Sequence, residues 1–315
     1  MTEPPQRPAF LFSGQLSETP GMGRDFFEAD PEARALFAAT SQRCGIDLEK
    51  ILFSGSNEAL HENLAAQAGV FLVSTLAARA LAREGVRPAA TAGYSLGNYA
   101  AMVAAEAVSY EDALDVLIAV WQETERLGIR GAMGAVVGAR REAVDSALEE
   151  LRGRGLPVWI GNVNASTQFV LTGSAGAVEA ALEALAPRSL RVLPLGMNWP
   201  IHSELMRPVA SAIARVVESC RSIRDPGVPF YGPDGSRANG EADIRRFLGT
   251  EFLYPTLWNS TIEAMVRDGH RAFLEVGPGD MLSKMTRWID RSITCAPAGT
   301  AAAVRDLSRI FAGRP

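Results

Sequence analysis

Cysteine and histidine are scarce in this chain. Three cysteines, Cys44, Cys220 and Cys295, stand far apart in 315 residues. An odd number at such spacing makes neither a disulfide framework nor a metal site, and a reducing cytoplasm is the simplest setting. Positive charge is not in excess: 31 Lys and Arg face 36 Asp and Glu, a net charge of −5 with no bulk signal for nucleic-acid binding. No unbroken apolar run reaches the roughly 18 residues of a membrane span, so none is expected. The opening Met1–Arg7 is polar and the apolar run behind it is short, so no signal peptide is expected. What remains, 47% hydrophobic and 21% charged residues, suits a globular protein with a sizeable core.

The pattern along the chain alternates strands and helices. Residues 8–14 (PAFLFSG) read as a buried strand ending in a glycine turn. Residues 63–85 form a long apolar helix stopped by Gly85, and residues 88–93 (PAATAG) a second strand. Residues 96–108 follow as a helix apolar nearly all round, hence buried. Ser109 with Asp112 marks the start of the next helix. Such alternation predicts an α/β layered core. Between residues 129 and 198 the order becomes β-α-β-β-α-β, the ferredoxin-like arrangement. The expected division is therefore a large domain of residues 1–128 and 199–315, with residues 129–198 as an inserted small domain.

The chemistry-bearing stretch is Gly93-Tyr94-Ser95-Leu96-Gly97. A G-x-S-x-G turn between strand and helix lifts a serine hydroxyl clear of the surface, and the helix start aims N–H groups at whatever the serine attacks. The bland reading is a glycine-rich turn with a serine cap. A serine nucleophile needs a base, and the chain has three histidines. His202, in the loop that leaves the inserted segment, is favoured over His61 and His270, which read as surface and structural residues.

Seven blocks in order carry a resemblance over about residues 8–295. FLFSGQLSETPGMG resembles F-P-G-Q-G-S-Q-x-x-G-M-G, and GYSLGNYAAM resembles G-H-S-L-G-E-Y-x-A-L. GAMGAVVG, NVNASTQFVLTG, LPLGMNWPIHSELM, YPTLWNSTI and FLEVGPGDMLSKM complete the series. The chain resembles the malonyl-CoA:acyl-carrier-protein transacylase family, which includes the acyltransferase domains of polyketide synthases. The resemblance implies an α/β-hydrolase-like large domain with an inserted ferredoxin-like domain. It also implies ping-pong acyl transfer from acyl-CoA, through a serine ester, to the phosphopantetheine thiol of an acyl carrier protein, with no bound cofactor. By position it makes Ser95 the nucleophile, His202 the general base and acid, and the backbone N–H groups of Gln15 and Leu96 the oxyanion hole. The carbonyl that orients the imidazole falls at Leu257.

The sequence departs from the family in instructive places. Where the family has an arginine on the helix after the serine, to pair with a malonyl carboxylate, this chain has Val120. An unpaired carboxylate beside an apolar wall is costly, whereas an apolar acyl group gains from it. A non-carboxylated acyl group is therefore expected, with Tyr94, Val120, Trp199 and Ile201 lining its pocket. Tyr94 and Asn98 replace the usual His and Glu, and Glu18 and Ser13 replace a glutamine and a proline. Three other functions stay open: an editing hydrolase of the same fold, a malonyl transferase with a relocated anchor, and a non-catalytic carrier-docking protein. Arg207, Lys284, Arg287 and Arg291 are candidates for a basic rim facing an acidic carrier protein.

Overall fold

A computed structural model describes residues 7–312. Residues 1–6, most of the polar opening that argues against a signal peptide, lie outside the described residues. The strands are β1 (Ala9–Phe12), β2 (Thr91–Gly93), β3 (Ala132–Val137), β4 (Val158–Ala165), β5 (Gln168–Gly173), β6 (Arg191–Leu195), β7 (Phe230–Tyr231), β8 (Ala272–Val276) and β9 (Thr294–Pro297). They form two sheets, in the orders β7-β2-β1-β8-β9 and β4-β5-β3-β6.

The first sheet is wholly parallel. Its central strand β1 is buried along its length, which explains why Ala9-Phe10-Leu11-Phe12 is a continuous apolar run rather than an alternating one. Phe12 pairs with Gly93, so the carboxyl ends of β1 and β2 lie level. Ligands of open parallel sheets bind at such ends. Short edge strands β7 and β9 escape the sequence pattern because they hold only two and four residues.

The second sheet is antiparallel. Its strand order, with helices Arg141–Gly153 and Ala175–Leu185 between strands, is the ferredoxin-like arrangement expected from the sequence. Strand alternation sorts its faces. Val136, Phe169 and Leu171 join Val144, Leu148 and Leu182 of the helices in one core. On β3, β5 and β6, Met133, Val170 and Leu195 form a separate apolar cluster with Met197 and Ile201. The molecule is thus a mixed α/β fold, a large α/β unit joined to a small ferredoxin-like one.

The expectation about membrane spans needs one correction. Helix Asn63–Arg83 is long and apolar enough to cross a bilayer by length and composition, but 83% of its most apolar window is buried inside the protein. It is the central core helix, packed against the helices Pro31–Cys44, Gly97–Ala104 and Tyr110–Arg126. Ser109 caps the last of these as the sequence indicates, its hydroxyl accepting from the Asp112 N–H at 3.1 Å.

Candidate active site

The turn after β2 is as tight as the G-x-S-x-G spacing requires. A Cβ on Gly93 would lie 2.1 Å from the Asn98 nitrogen, and one on Gly97 would lie 2.1 Å from the Phe12 carbonyl oxygen. No side chain fits either place. Between them Ser95 is held at φ 51°, in the left-handed region. Leu16 and His202 share that strain, at φ 72° and 63°. Three of the four non-glycine residues with positive φ among the described residues therefore surround one cavity. Strain of this kind persists only where the surrounding structure enforces it, and it concentrates at functional sites.

Ser95 and His202 meet across 107 positions of sequence. Ser95 Oγ lies 2.7 Å from His202 Nε2. His202 Nδ1 lies 2.8 Å from the backbone oxygen of Tyr254. A carbonyl only accepts, so Nδ1 carries the proton in the neutral ring, and Nε2 presents its lone pair to the Ser95 hydroxyl. The ring is 1% exposed, and its own backbone N–H is fixed on the Phe252 carbonyl at 2.7 Å. His61 instead bonds Glu18 at 2.8 Å, and His270 packs edge-on to Tyr231.

The orienting carbonyl is a correction to the sequence reading. It belongs to Tyr254, the first residue of the YPTLW segment, and not to Leu257. The Leu257 carbonyl is spent on the start of helix Trp258–Arg267, where it accepts from the N–H and hydroxyl of Thr261 at 3.0 and 3.2 Å. The small domain clamps the Tyr254 segment. Val163 N–H donates to the Thr256 carbonyl, and Thr256 N–H to the Gly161 carbonyl, each at 2.9 Å.

Gln15 and Leu96 stand beside this pair. Among the described residues the backbone N–H of neither donates to a protein acceptor. Leu96 precedes helix Gly97–Ala104, whose positive end faces the turn. Gln15 follows β1 in a loop steadied by Glu275, a fully buried carboxylate that accepts from the N–H groups of Leu282 and Ser283 at 2.9 and 2.7 Å. The Ser13 hydroxyl reaches the same carboxylate at 3.4 Å. The Gln15 side chain belongs to an amide chain that runs from Gln67 through Gln15 and Asn63 to Asn198.

The cavity over Ser95 is small, ≈ 40 Å³. Tyr94 and Ile201 line it as expected, together with Met133, Val170, Leu195 and Met197. Burial holds the Tyr94 phenol protonated, and it donates to Asn164 at 2.9 Å. Val120 and Trp199 do not line it, contrary to the sequence reading. Val120 faces the main core from helix Tyr110–Arg126. Trp199 is fully buried, and its indole N–H donates to Glu125 of helix Tyr110–Arg126 at 3.1 Å. A large ring in the right segment is consumed by packing.

No lysine or arginine lines the cavity among the described residues. Arg126, the arginine nearest Val120 in sequence, pairs with Glu123 and is 65% exposed. Among the same residues no group of three or more His, Cys, Asp or Glu could hold a metal ion. Of the basic residues, Arg207 pairs with Glu204 and Lys284 with Asp280. Lys284, Arg287 and Arg291 line a surface hollow with the exposed Trp288. Met133, Val170, Leu195, Met197 and Tyr254 were missed from sequence. The signal available was the period-two alternation of β3, β5 and β6, which identifies a second apolar face but not what it faces.

The chain is similar to known proteins over nearly its whole length. The chain is 33% identical over 290 residues to malonyl CoA-acyl carrier protein transacylase of Bacillus subtilis, covering 90% of this chain and 91% of the relative. It is 33% identical over 308 residues to the same-named protein of Escherichia coli K12, covering 94% and 98%. The crystal structure of a malonyl-CoA:acyl carrier protein transacylase from Xanthomonas oryzae superposes with TM-score 0.91 at 31% identity, covering 98% of this chain and 100% of that one. A type II PKS acyl-carrier protein in complex with its malonyl-transacylase gives TM-score 0.90 at 29% identity, covering 96% and 99%. Matched from residue 9 to residue 304, the chain belongs to the acyl transferase domain family.

Proposed function

We propose that this protein transfers a short, non-carboxylated acyl group from coenzyme A to the phosphopantetheine thiol of an acyl carrier protein in fatty-acid or polyketide synthesis. The observation that carries the acyl preference is the cavity lining: besides Gln15, Asn162 and the Ser95–His202 pair it is apolar or aromatic, and among the described residues no lysine or arginine lines it. A carboxylate there would lose its hydration without a partner, at a cost of several kcal/mol, whereas a methyl or ethyl group gains by burial. The narrow volume favours acetyl and propionyl over longer chains.

The reaction follows from the hydrogen bonds. His202 Nε2 takes the Ser95 proton as Oγ attacks the thioester carbonyl. The Gln15 and Leu96 N–H groups receive the developing oxyanion, each supplying about 3–4 kcal/mol of barrier lowering. His202 returns the proton to the departing thiolate, leaving an acyl ester on Ser95. The carrier thiol then repeats the sequence in reverse. The Tyr254 carbonyl steadies the imidazolium through Nδ1–H, so no acidic third residue is needed on that side. The three cysteines stand free, which supports a reducing, cytoplasmic setting.

The names of the relatives favour a second reading, malonyl transfer with an anchor outside the cavity. One experiment tests both. The purified protein is incubated with acetyl-, propionyl-, butyryl-, malonyl- and methylmalonyl-CoA, and Ser95 adducts are read by intact mass with Ser95→Ala as control. Adducts from acetyl and propionyl donors, passed to a holo carrier protein faster than to water, support the proposal. Rapid loss to water identifies an editing hydrolase, and adducts confined to malonyl donors establish the second reading.

A further inference from the structure

A second buried carboxyl group faces the Ser95–His202 pair, and nothing in the reaction described above uses it. Glu251 follows helix Glu241–Thr250 with helical backbone geometry, its N–H bonded to the Phe247 carbonyl at 2.9 Å. Its side chain is 6% exposed. Its Oε1 lies 3.9 Å from His202 Nε2, beyond hydrogen-bond length, and has no hydrogen-bond partner although it is fully buried. Asn98, one turn after Ser95, is equally buried, and neither its amide oxygen nor its nitrogen is bonded.

Glu275 shows what a structural carboxylate looks like in this molecule. It is buried too, but its oxygens are taken up by two backbone N–H groups and the Ser13 hydroxyl. A carboxyl left unbonded in the interior costs free energy, and such a group is retained at functional sites. Glu251 is held by backbone and packing, with one oxygen kept free opposite Nε2.

We propose that Glu251 is a positioning residue that stabilises the His202 imidazolium formed during acyl transfer. It rests on the reading of Ser95 and His202 as nucleophile and base. As the Ser95 Oγ–carbon bond forms, the Ser95 proton moves to Nε2 and the ring becomes positive. Nδ1–H already points at the Tyr254 carbonyl, and the new Nε2–H lies along the former Ser95 hydrogen bond, with Glu251 Oε1 3.9 Å from Nε2 as the nearby negative charge. When the carbon–sulfur bond breaks, that proton leaves with the thiol and Glu251 is unchanged. The group does not touch the acyl chain.

The surroundings suit this role. Burial pushes the Glu251 carboxyl above its ordinary range, opposed chiefly by the charge of His202. The Tyr99 phenol is the other titratable group beside it, and burial keeps that phenol protonated. No arginine or lysine contributes to its titration. The charge of Glu251 is therefore most strongly favoured when the imidazole is protonated, as coupled groups this close require.

The test is Glu251→Gln, which keeps shape and removes charge. Ser95 acylation by acetyl-CoA is followed across pH by rapid-quench intact mass. The ring signals of the three histidines are followed by NMR. Loss of the nearby negative charge disfavours the imidazolium. The acidic limb of the acylation profile and the His202 ring titration are thus expected to move together to lower pH, by roughly one unit. Acylation on the plateau is expected to fall roughly 10- to 100-fold. Unchanged His61 and His270 signals certify the fold, and Glu251→Asp is expected to keep the limb near its wild-type position. An unmoved limb and an unmoved His202 titration in a folded Glu251→Gln protein overturn the inference. If wild type forms no Ser95 adduct with any donor, the proposed function fails instead, and the NMR titration alone still decides whether Glu251 acts on His202.

Discussion

The two walls of the cavity are built on different principles. The wall from the large domain is made of strand ends and backbone: the Ser95 turn, the Gln15 loop and the first turn of helix Gly97–Ala104. Its geometry is forced by glycines and by strained residues, and small changes there are not tolerated. The wall from the small domain is the second, largely buried face of an antiparallel sheet, carrying Met133, Val170 and Leu195 on regular strands. Its side chains can change without disturbing any backbone bond. On the proposed function, reaction chemistry would reside on the first wall and acyl choice on the second. A fold arranged in this way can alter its donor while keeping its reaction.

The comparison breaks most visibly at Ser95. Ser95→Ala is expected to abolish the acyl-enzyme and lower transfer on the order of 10⁴-fold, with thermal stability preserved; adduct on the variant would place the nucleophile elsewhere. Next in size is Glu275→Ala, which strips two helix-start N–H groups of their acceptor and frees the Gln15 loop. A loss of about 2–4 kcal/mol in denaturant unfolding is expected, and a loss under half a kcal/mol would show that Glu275 does not anchor that loop.

Changes on the second wall are expected to redirect the reaction rather than stop it. Met197→Ala enlarges the cavity and is predicted to raise butyryl-CoA labelling about tenfold relative to acetyl-CoA, since a methylene is worth about 1–3 kcal/mol in such a pocket. An unchanged ratio would mean that Met197 does not limit chain length. The smallest effect is expected from Tyr94→Phe, which leaves Asn164 without its donor. About 1 kcal/mol of stability is lost and the acidic limb of the acylation profile stays in place.

The same division explains what the sequence could reveal. The first wall is legible because its chemistry is local: Gly93, Ser95 and Gly97 must stand at fixed spacing for the turn to close, and the sequence shows that spacing. The choice of His202 from three histidines followed from its loop position, and the structure brings it to Ser95 at 2.7 Å. The second wall was not legible, because Val170 and Met197 face Ser95 only through the way two sheets pack. Trp199 and Val120 show the reverse error. Both occupy segments near the site, yet one ring is buried with its N–H on Glu125 and the other side chain is in the core. Leu257 was misplaced by three residues because one carbonyl looks like another in sequence, and only the helix start after Tyr254-Pro255-Thr256 shows which is free. Glu251 carries no sequence signal at all, since an acidic residue at a helix end is ordinary.

The central claim is that the cavity prefers an acyl group without a carboxylate. The most direct test is a competition between acetyl-CoA and malonyl-CoA at equal concentration, with the ratio of the two Ser95 adducts read by intact mass before either turns over. The cavity lining predicts an acetyl adduct at least about tenfold in excess, as the unpaired desolvation of one carboxylate requires. A malonyl adduct in excess would contradict it and would require a cation that reaches Ser95 when the donor binds.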